Sequence, residues 1–420
     1  MTRAAPTTLR PTSAKEVRDA VLDTPGRLAI SGAGTARHWA GRPAEADATI
    51  DLSALSGVIT HNPGDMTVSV HAGTPVRELQ EQLAEHGQRL ALDAARTDRG
   101  ATVGGLLATA DAGPSALVYG GMRDLVIGTT TVLADGTMVR SGGHVIKNVA
   151  GYDMAKLMHG SYGTFGPVVE VVLRLHPVPK AVACVAVDGP LDAAAAHVQR
   201  LMASPLEPIA AEWVSGDPGT LLVRLEGGTD TLPARTGRLL ELLGDGAREI
   251  GPEGWARHAA LTGGPSRRPE QARAAVAAAG PAGTSATALA GAGIADPTAV
   301  PGPDPAAPAG AGAAGDPGAV VRIGCAPARL APLLAGLPST AVTAGPATGV
   351  ATVTVPGSAV AEVHRAVAAA GGTSVLRDRP DALDAPAWGP APSALALLKA
   401  VKTQLDPEAR FAAGRFEPWM

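Results

Sequence analysis

Aromatic residues are scarce. The 420-residue chain has 5 Trp, 3 Tyr and 3 Phe, too few for the stacking platforms by which proteins hold single-stranded nucleic acid. An excess of positive charge is missing too. Lys and Arg number 35 against 39 Asp and Glu, a net charge of −4, which leaves no electrostatic footprint for a polyanion. The two cysteines, Cys184 and Cys325, exclude a disulfide framework and any four-thiolate zinc or iron–sulfur site. No run reaches the ~18–20 apolar residues of a membrane span, and Met1–Arg10 lacks the apolar stretch of a secretory signal. A soluble, cytoplasmic protein with no nucleic-acid partner and no membrane span is expected. No Walker A pattern occurs.

What is present is dense turn punctuation over the first 178 residues. Ser13-x-x-Glu16 is a capping box, followed by Val17, Ala20 and Val21 at helical spacing. Thr67 to His71 alternates like a strand, and Thr74-Pro75 opens a helix carrying Leu79 and Leu83. Val126 to Arg140 reads as a hairpin about Asp135-Gly136. From Val182 the order strand, helix, strand, strand, helix occurs, and it returns after residue 319. Two such units predict an antiparallel sheet covered by helices. Between them, residues 280–318 are almost entirely Ala, Gly and Pro. This composition cannot bury enough surface to offset its ordering entropy, so a disordered insertion without function is expected. Leu395, Leu398, Val401 and Leu405 form an apolar stripe near the C-terminus.

Three small-residue loops carry the chemistry. Ser31-Gly32-Ala33-Gly34-Thr35 follows a strand, where glycines let backbone N–H groups approach a diphosphate. A plain turn would have the same composition. The loop is not a Rossmann fingerprint, because Arg37 stands where the third glycine belongs. Ala101-Thr102-Val103-Gly104-Gly105 is the second loop, and Gly163-Thr164-Phe165-Gly166-Pro167-Val168-Val169 the third.

Together with Asp124–Gly128, the stretch Gly143–Asp153 and Gly160–Gly166, these loops resemble the FAD-binding domain of the vanillyl-alcohol oxidase/p-cresol methylhydroxylase (PCMH) superfamily. Within it they resemble the E-type flavin subunit of bacterial glycolate oxidase. The resemblance covers residues ~8–178 and the tail from Asp406-Pro407 to Gly414-Arg415-Phe416. It implies an α+β protein in three parts. A PCMH-type FAD-binding domain of two α/β subdomains spans 1–178, an α+β cap with an antiparallel sheet spans 179–390, and a helix and tail at 391–420 return to the FAD domain. It implies one FAD, held by Ser31, Gly32, Ala33, Gly34 and Thr35 and by Ala101, Thr102, Gly104 and Gly105. The flavin ring would lie near Gly163, Thr164, Gly166, Val168 and Val169. Lys147, Asn148, Tyr152 and Asp153 match a family signature. Lys147, Tyr152 and Asp153 stand as candidates for catalysis, with Arg123, and all are equally explicable as structure.

The departures from the family narrow the expectation. Thr35 replaces the histidine that tethers FAD in some members, and neither cysteine lies near the loops, so non-covalent FAD is expected. His197, His258 and His364 are isolated, with no pair at metal-ligand spacing, so no metal site is expected. The tail reads Phe411-Ala412-Ala413-Gly414 where many relatives carry an asparagine, and that contact is not carried over. The resulting expectation is an FAD-binding oxidoreductase, the flavin subunit of a glycolate-oxidase-like complex with a D-type flavin subunit and an iron–sulfur subunit as partners. A self-sufficient FAD-dependent dehydrogenase and a flavin-free assembly subunit are the alternatives.

Overall fold

The computed structural model describes residues 7–145, 151–263, 316 and 318–420. It is a mixed structure of helices and largely antiparallel sheets, the α+β class that the sequence implies. Apart from Asp316 and Gly318, the Ala/Gly/Pro insertion lies outside the described residues.

The chain begins with a parallel sheet of β1 (Thr7–Leu9), β2 (Leu28–Ser31) and β3 (Ala48–Asp51), in the order β1-β3-β2. The helix Ala14–Asp23 starts at Ser13, whose hydroxyl accepts a hydrogen bond from Glu16 N at 3.2 Å. The Glu16 carboxylate accepts from Thr12 N at 2.8 Å rather than from Ser13 N, so the capping box closes one residue early. Val17 and Val21 then point inward and pack with Leu28, Ile50 and Leu55.

A five-stranded antiparallel sheet follows. It comprises β4 (Val58–Asn62), β5 (Thr67–His71), β7 (Val126–Val132), β8 (Met138–Gly142) and β9 (Val168–Arg174), in the order β4-β5-β9-β7-β8. A small ribbon of β6 (Gln88–Arg89) and β10 (His176–Pro177) lies beside it. Asp135-Gly136 makes the turn of the β7–β8 hairpin, and Asp135 Oδ1 accepts from Thr137 N at 2.8 Å. Val68 and Val70 pack against Leu79 and Leu83 of the helix Val76–Ala84 and against Leu106 and Leu107.

The second half builds an eight-stranded sheet. Its first four strands are β11 (Ala181–Asp188), β12 (Ala210–Val214), β13 (Thr220–Gly227) and β14 (Arg248–Ile250). The others are β15 (Gly318–Gly324), β16 (Ala341–Gly345), β17 (Val350–Pro356) and β18 (Thr373–Asp378). The order is β14-β11-β13-β12-β16-β17-β15-β18, so two copies of one pattern meet at the β12–β16 pairing. β14 and the helix Ala256–Gly263 have no counterpart in the sequence reading.

Alternation along each strand gives this sheet two unlike faces. One is apolar. Val185, Val187, Leu221 and Val223 pack under the helices Leu191–Met202 and Leu232–Leu243, while Val321, Ile323 and Val353 pack under Pro327–Ala335 and Val360–Ala369. The other presents Glu212, Arg224, Glu226, Arg322 and Arg377. That polar face is turned to the first half of the chain and bound to it by ion pairs. Arg377 Nη1 stands 2.8 Å from Asp111 Oδ1, Arg96 Nη2 2.9 Å from Asp378 Oδ2, and Arg224 Nη2 2.7 Å from Asp93 Oδ2. Arg89 pairs with Glu226, which also accepts from the Tyr119 hydroxyl. The fully buried Trp39 ring lies 4.1 Å from the Arg96 guanidinium carbon and 3.8 Å from that of Arg377, within reach of cation–π attraction.

The tail runs back onto β2. Leu28 N donates to Arg410 O at 2.8 Å, Ala412 N donates to Leu28 O, and Phe411 is fully buried. Lys402, on the helix Leu395–Leu405, donates from Nζ to the carbonyls of Thr164 and Phe411 and pairs with Asp406. Burial pulls the Lys402 ammonium below its ordinary value, partly offset by Asp406.

Candidate functional site

A cavity of about 340 Å³ opens where β2, the segment after β5 and the C-terminal tail converge. Its wall contains residues 31–35, Thr102, Gly104, Gly105, Gly163, Gly166 and Val168. The structure therefore brings together the three loops singled out in the sequence. Local geometry explains why these residues are small. Gly34 has φ +71, a region that L side chains rarely adopt. A Cβ on Gly32 would stand 2.6 Å from Thr102 Oγ1. Thr102 is itself fixed as the cap of the helix Val103–Thr109, its hydroxyl accepting from Gly105 N at 3.1 Å. The first two loops can thus touch only because position 32 lacks a side chain.

Three expected residues do not line the cavity. Ala101 is buried in the core with Val76 and Val103. Thr164 is buried and its hydroxyl is spent on Ser161 O. Val169 points away from the cavity into the core of Val17 and Ile50, as strand alternation next to Val168 requires. The described candidates for catalysis stand away from this cavity. Tyr152 is 91% exposed and Arg123 is exposed. Asp153 caps the short helix Met154–Met158, accepting from Lys156 N and pairing with Lys156 Nζ at 2.9 Å. None of the three is on the wall. Lys147 and Asn148 lie outside the described residues.

The sequence reading missed other parts of the wall. Arg37, Arg96 and Arg415 line it, as does Tyr162, held at φ 51 between Gly160 and Gly163. Tyr162 packs edge-on against Trp388 and Phe416, and burial pushes its phenol up. Burial likewise pulls Arg96 and Arg415 down. The motif and tail contained Tyr162 and Arg415, but nothing in their spacing indicated that the two meet.

This wall suits a dinucleotide diphosphate. Small residues expose backbone along it, and its ionisable side chains among the described residues are arginines and one tyrosine, with no carboxylate to repel phosphate. A family model described as "FAD binding domain" matches residues 5–142. The first third of the chain is an FAD-binding domain. Its cofactor is FAD. Over 242 residues the chain is 32% identical to glycolate oxidase subunit GlcE of Escherichia coli, which covers 57% of this chain and 65% of that protein. It is 38% identical over 149 residues to glycolate oxidase subunit GlcD of Bacillus subtilis, covering 35% of this chain and 31% of that one. The mitochondrial D-lactate dehydrogenase [cytochrome] 1 of Saccharomyces cerevisiae is 38% identical over 150 residues, 35% of this chain and 25% of that protein. The matches thus span less than two thirds of these relatives. A solved structure of alkyldihydroxyacetonephosphate synthase superposes with TM-score 0.63 at 17% identity, over 96% of this chain and 74% of that one, a likeness of fold.

No histidine or cysteine stands on the described wall. Cys184 is buried on β11, and Cys325 follows β15. With neither histidine nor cysteine on the described wall, FAD is expected to leave the polypeptide on acid or heat denaturation. Flavin fluorescence remaining with the precipitated polypeptide would contradict this.

Proposed function

We propose that this chain is the FAD-binding subunit of a 2-hydroxy-acid dehydrogenase complex of the glycolate oxidase type, with a D-type flavin subunit and an iron–sulfur subunit as partners. The observation that carries the reading is a cavity suited to FAD whose described wall offers arginines and Tyr162 but no histidine, lysine or carboxylate. FAD supplies a hydride acceptor when bound. Oxidation of a hydroxy acid also needs a base for the hydroxyl proton, a histidine or carboxylate in most enzymes. Arg37, Arg96 and Arg415 remain cationic at neutral pH and serve to bind anionic groups rather than to take up protons. Tyr162 has a raised pKa and keeps its proton. Two cysteines cannot ligate a cluster, so electrons pass onward through another subunit or a diffusible acceptor. The likeness to a protein named as a glycolate oxidase subunit supports the same assignment.

The purified chain is expected to hold FAD yet reduce no dye with glycolate or D-lactate until a D-type subunit is added. Turnover by the isolated chain would instead favour a self-sufficient dehydrogenase. One observation favours that second reading: Arg322, on the cap face turned to the FAD domain, makes no hydrogen bond or ion pair among the described residues, though Asp111, Glu212 and Tyr162 act on it.

A further inference from the structure

A second, smaller cavity of about 240 Å³ opens between the segment after the 31–35 loop and the end of β18. Arg37, His38 and Arg42 line it from the FAD domain, Arg379 and Asp381 from the cap. Arg37 and Pro43 stand on the walls of both cavities, so the two are neighbours, but no residue of the 31–35 loop reaches the second wall. The volume falls below the ~300–1,000 Å³ of pockets for larger ligands and suits a small one.

The wall is held firmly. Ala40 N donates to Leu376 O at 2.8 Å and Gly41 N to Arg415 O at 3.0 Å. Arg42 and Arg379 cross the domain junction in opposite directions. Arg42 Nη2 donates to Asp381 O at 2.7 Å and to Leu383 O at 2.8 Å. Arg379 Nη2 donates to Ala40 O at 3.2 Å, and its Nη1 to Ala385 O at 3.0 Å. Neutral carbonyls thus fix both guanidinium groups in place without neutralising them.

The charge on this wall does not balance. Three guanidinium groups and an imidazole meet one carboxylate, that of the exposed Asp381, whose Oδ1 lies 3.7 Å from His38 Nδ1. None of Arg37, Arg42 and Arg379 forms an ion pair among the described residues. Arg379 is only 8% exposed, and its Nε is buried with no hydrogen-bond partner among them. Burial first, then the charge of Arg42, holds the Arg379 guanidinium below its ordinary value, and Asp384, off the wall, offsets part of this. Two like charges brought from two domains to one cavity are costly to keep, and an anion between them removes the cost. Arginine forks match phosphate oxygens two at a time, and a dianion answers more of this charge than a single carboxylate does.

We propose that this cavity binds a phosphate dianion, free or carried by a small phosphomonoester, between Arg37, Arg42 and Arg379, and that the bound anion clamps the cap to the FAD domain. The site stands outside the FAD cavity and does not depend on the subunit reading.

The test is calorimetric titration of the full, FAD-loaded chain with inorganic phosphate or methyl phosphate, at about pH 8 and at ionic strength held constant with chloride. Saturable uptake of one anion per chain is expected, with a parallel rise in melting temperature. Uptake of both ligands indicates a site open to phosphomonoesters, and uptake of inorganic phosphate alone a site for the free ion. Arg42 is exposed, and water can replace it at the carbonyls it leaves. Arg42→Gln is therefore expected to fold, keep its FAD and bind phosphate about tenfold more weakly or worse, the effect of losing a hydrogen bond to a charged group. Asp381→Asn removes the one carboxylate and is expected to tighten binding by up to about fivefold, the scale of an exposed ion pair. No saturable uptake, or uptake undiminished in Arg42→Gln, would overturn the proposal. So would uptake by the flavin-free chain alone, which would put the phosphate in the FAD cavity instead. Should Arg42→Gln not fold, Asp381→Asn decides by itself, because weaker or unchanged binding in that variant equally contradicts the site.

Discussion

Gly34→Val is expected to give a folded protein that has lost most of its FAD. Gly34 is exposed at φ +71, and the atom nearest to an added Cβ is an Arg37 guanidinium nitrogen at 3.9 Å. There is space for the side chain, so conformation rather than crowding decides the outcome. A residue with a Cβ in the left-handed region costs roughly 1–2 kcal/mol, and β-branching adds to that. The free loop escapes the strain by turning its backbone, and FAD binding has to restore it. Since about 1.4 kcal/mol is a factor of ten in affinity, a loss of about tenfold or more follows. Gly32→Val reaches the same end by crowding, because its Cβ would press on Thr102 and displace the cap of the following helix. The measurement is flavin per chain after gel filtration, with circular dichroism to confirm folding. Stoichiometric FAD in both variants would remove the loop from the cofactor site.

The second large effect concerns the cap. Arg377→Met is expected to destabilise the protein by about 3–5 kcal/mol, the range for breaking a buried ion pair and leaving one charge behind. The Arg377 and Asp111 side chains are each only 4% exposed. Without Arg377, the buried Asp111 carboxylate loses its ion-pair partner, since Arg96 is held by Asp378. At about 1 °C per kcal/mol for a chain of this length, the melting temperature falls by roughly 3–6 °C. Asp111→Asn in the same chain removes the stranded charge and is expected to restore most of the loss. A double variant no more stable than Arg377→Met alone would show that the pair does not carry the interface.

Local features of the fold were legible in the sequence because each has a local cause. Asp135-Gly136 fixes a hairpin through its own turn chemistry, and Ser13 fixes a helix start through one hydroxyl. The duplicated cap followed from the recurrence of one element order, which the mirrored halves of the eight-stranded sheet explain. The loops were legible as loops, but their composition could not say which residues face the cavity. Val168 lines it and Val169 does not, a difference set by the phase of β9. The charged interface was not legible at all. Arg377 and Asp111 stand 266 residues apart, and no local rule matches one arginine to one aspartate over that distance. Only Arg322, a charge within the otherwise apolar β15, marked that strand's second face as meeting something other than solvent.

The central claim is that the cavity between the 31–35 loop, Thr102–Gly105 and Gly163–Val168 holds a single, non-covalent FAD. The most direct measurement strips flavin from the purified chain with acidic ammonium sulfate, refolds the apoprotein and titrates it with FAD while flavin fluorescence is followed. Saturation at one FAD per wild-type chain, together with loss of tight binding in Gly34→Val, is the expected result. An apoprotein that refolds, by circular dichroism, yet takes up no FAD would contradict the account.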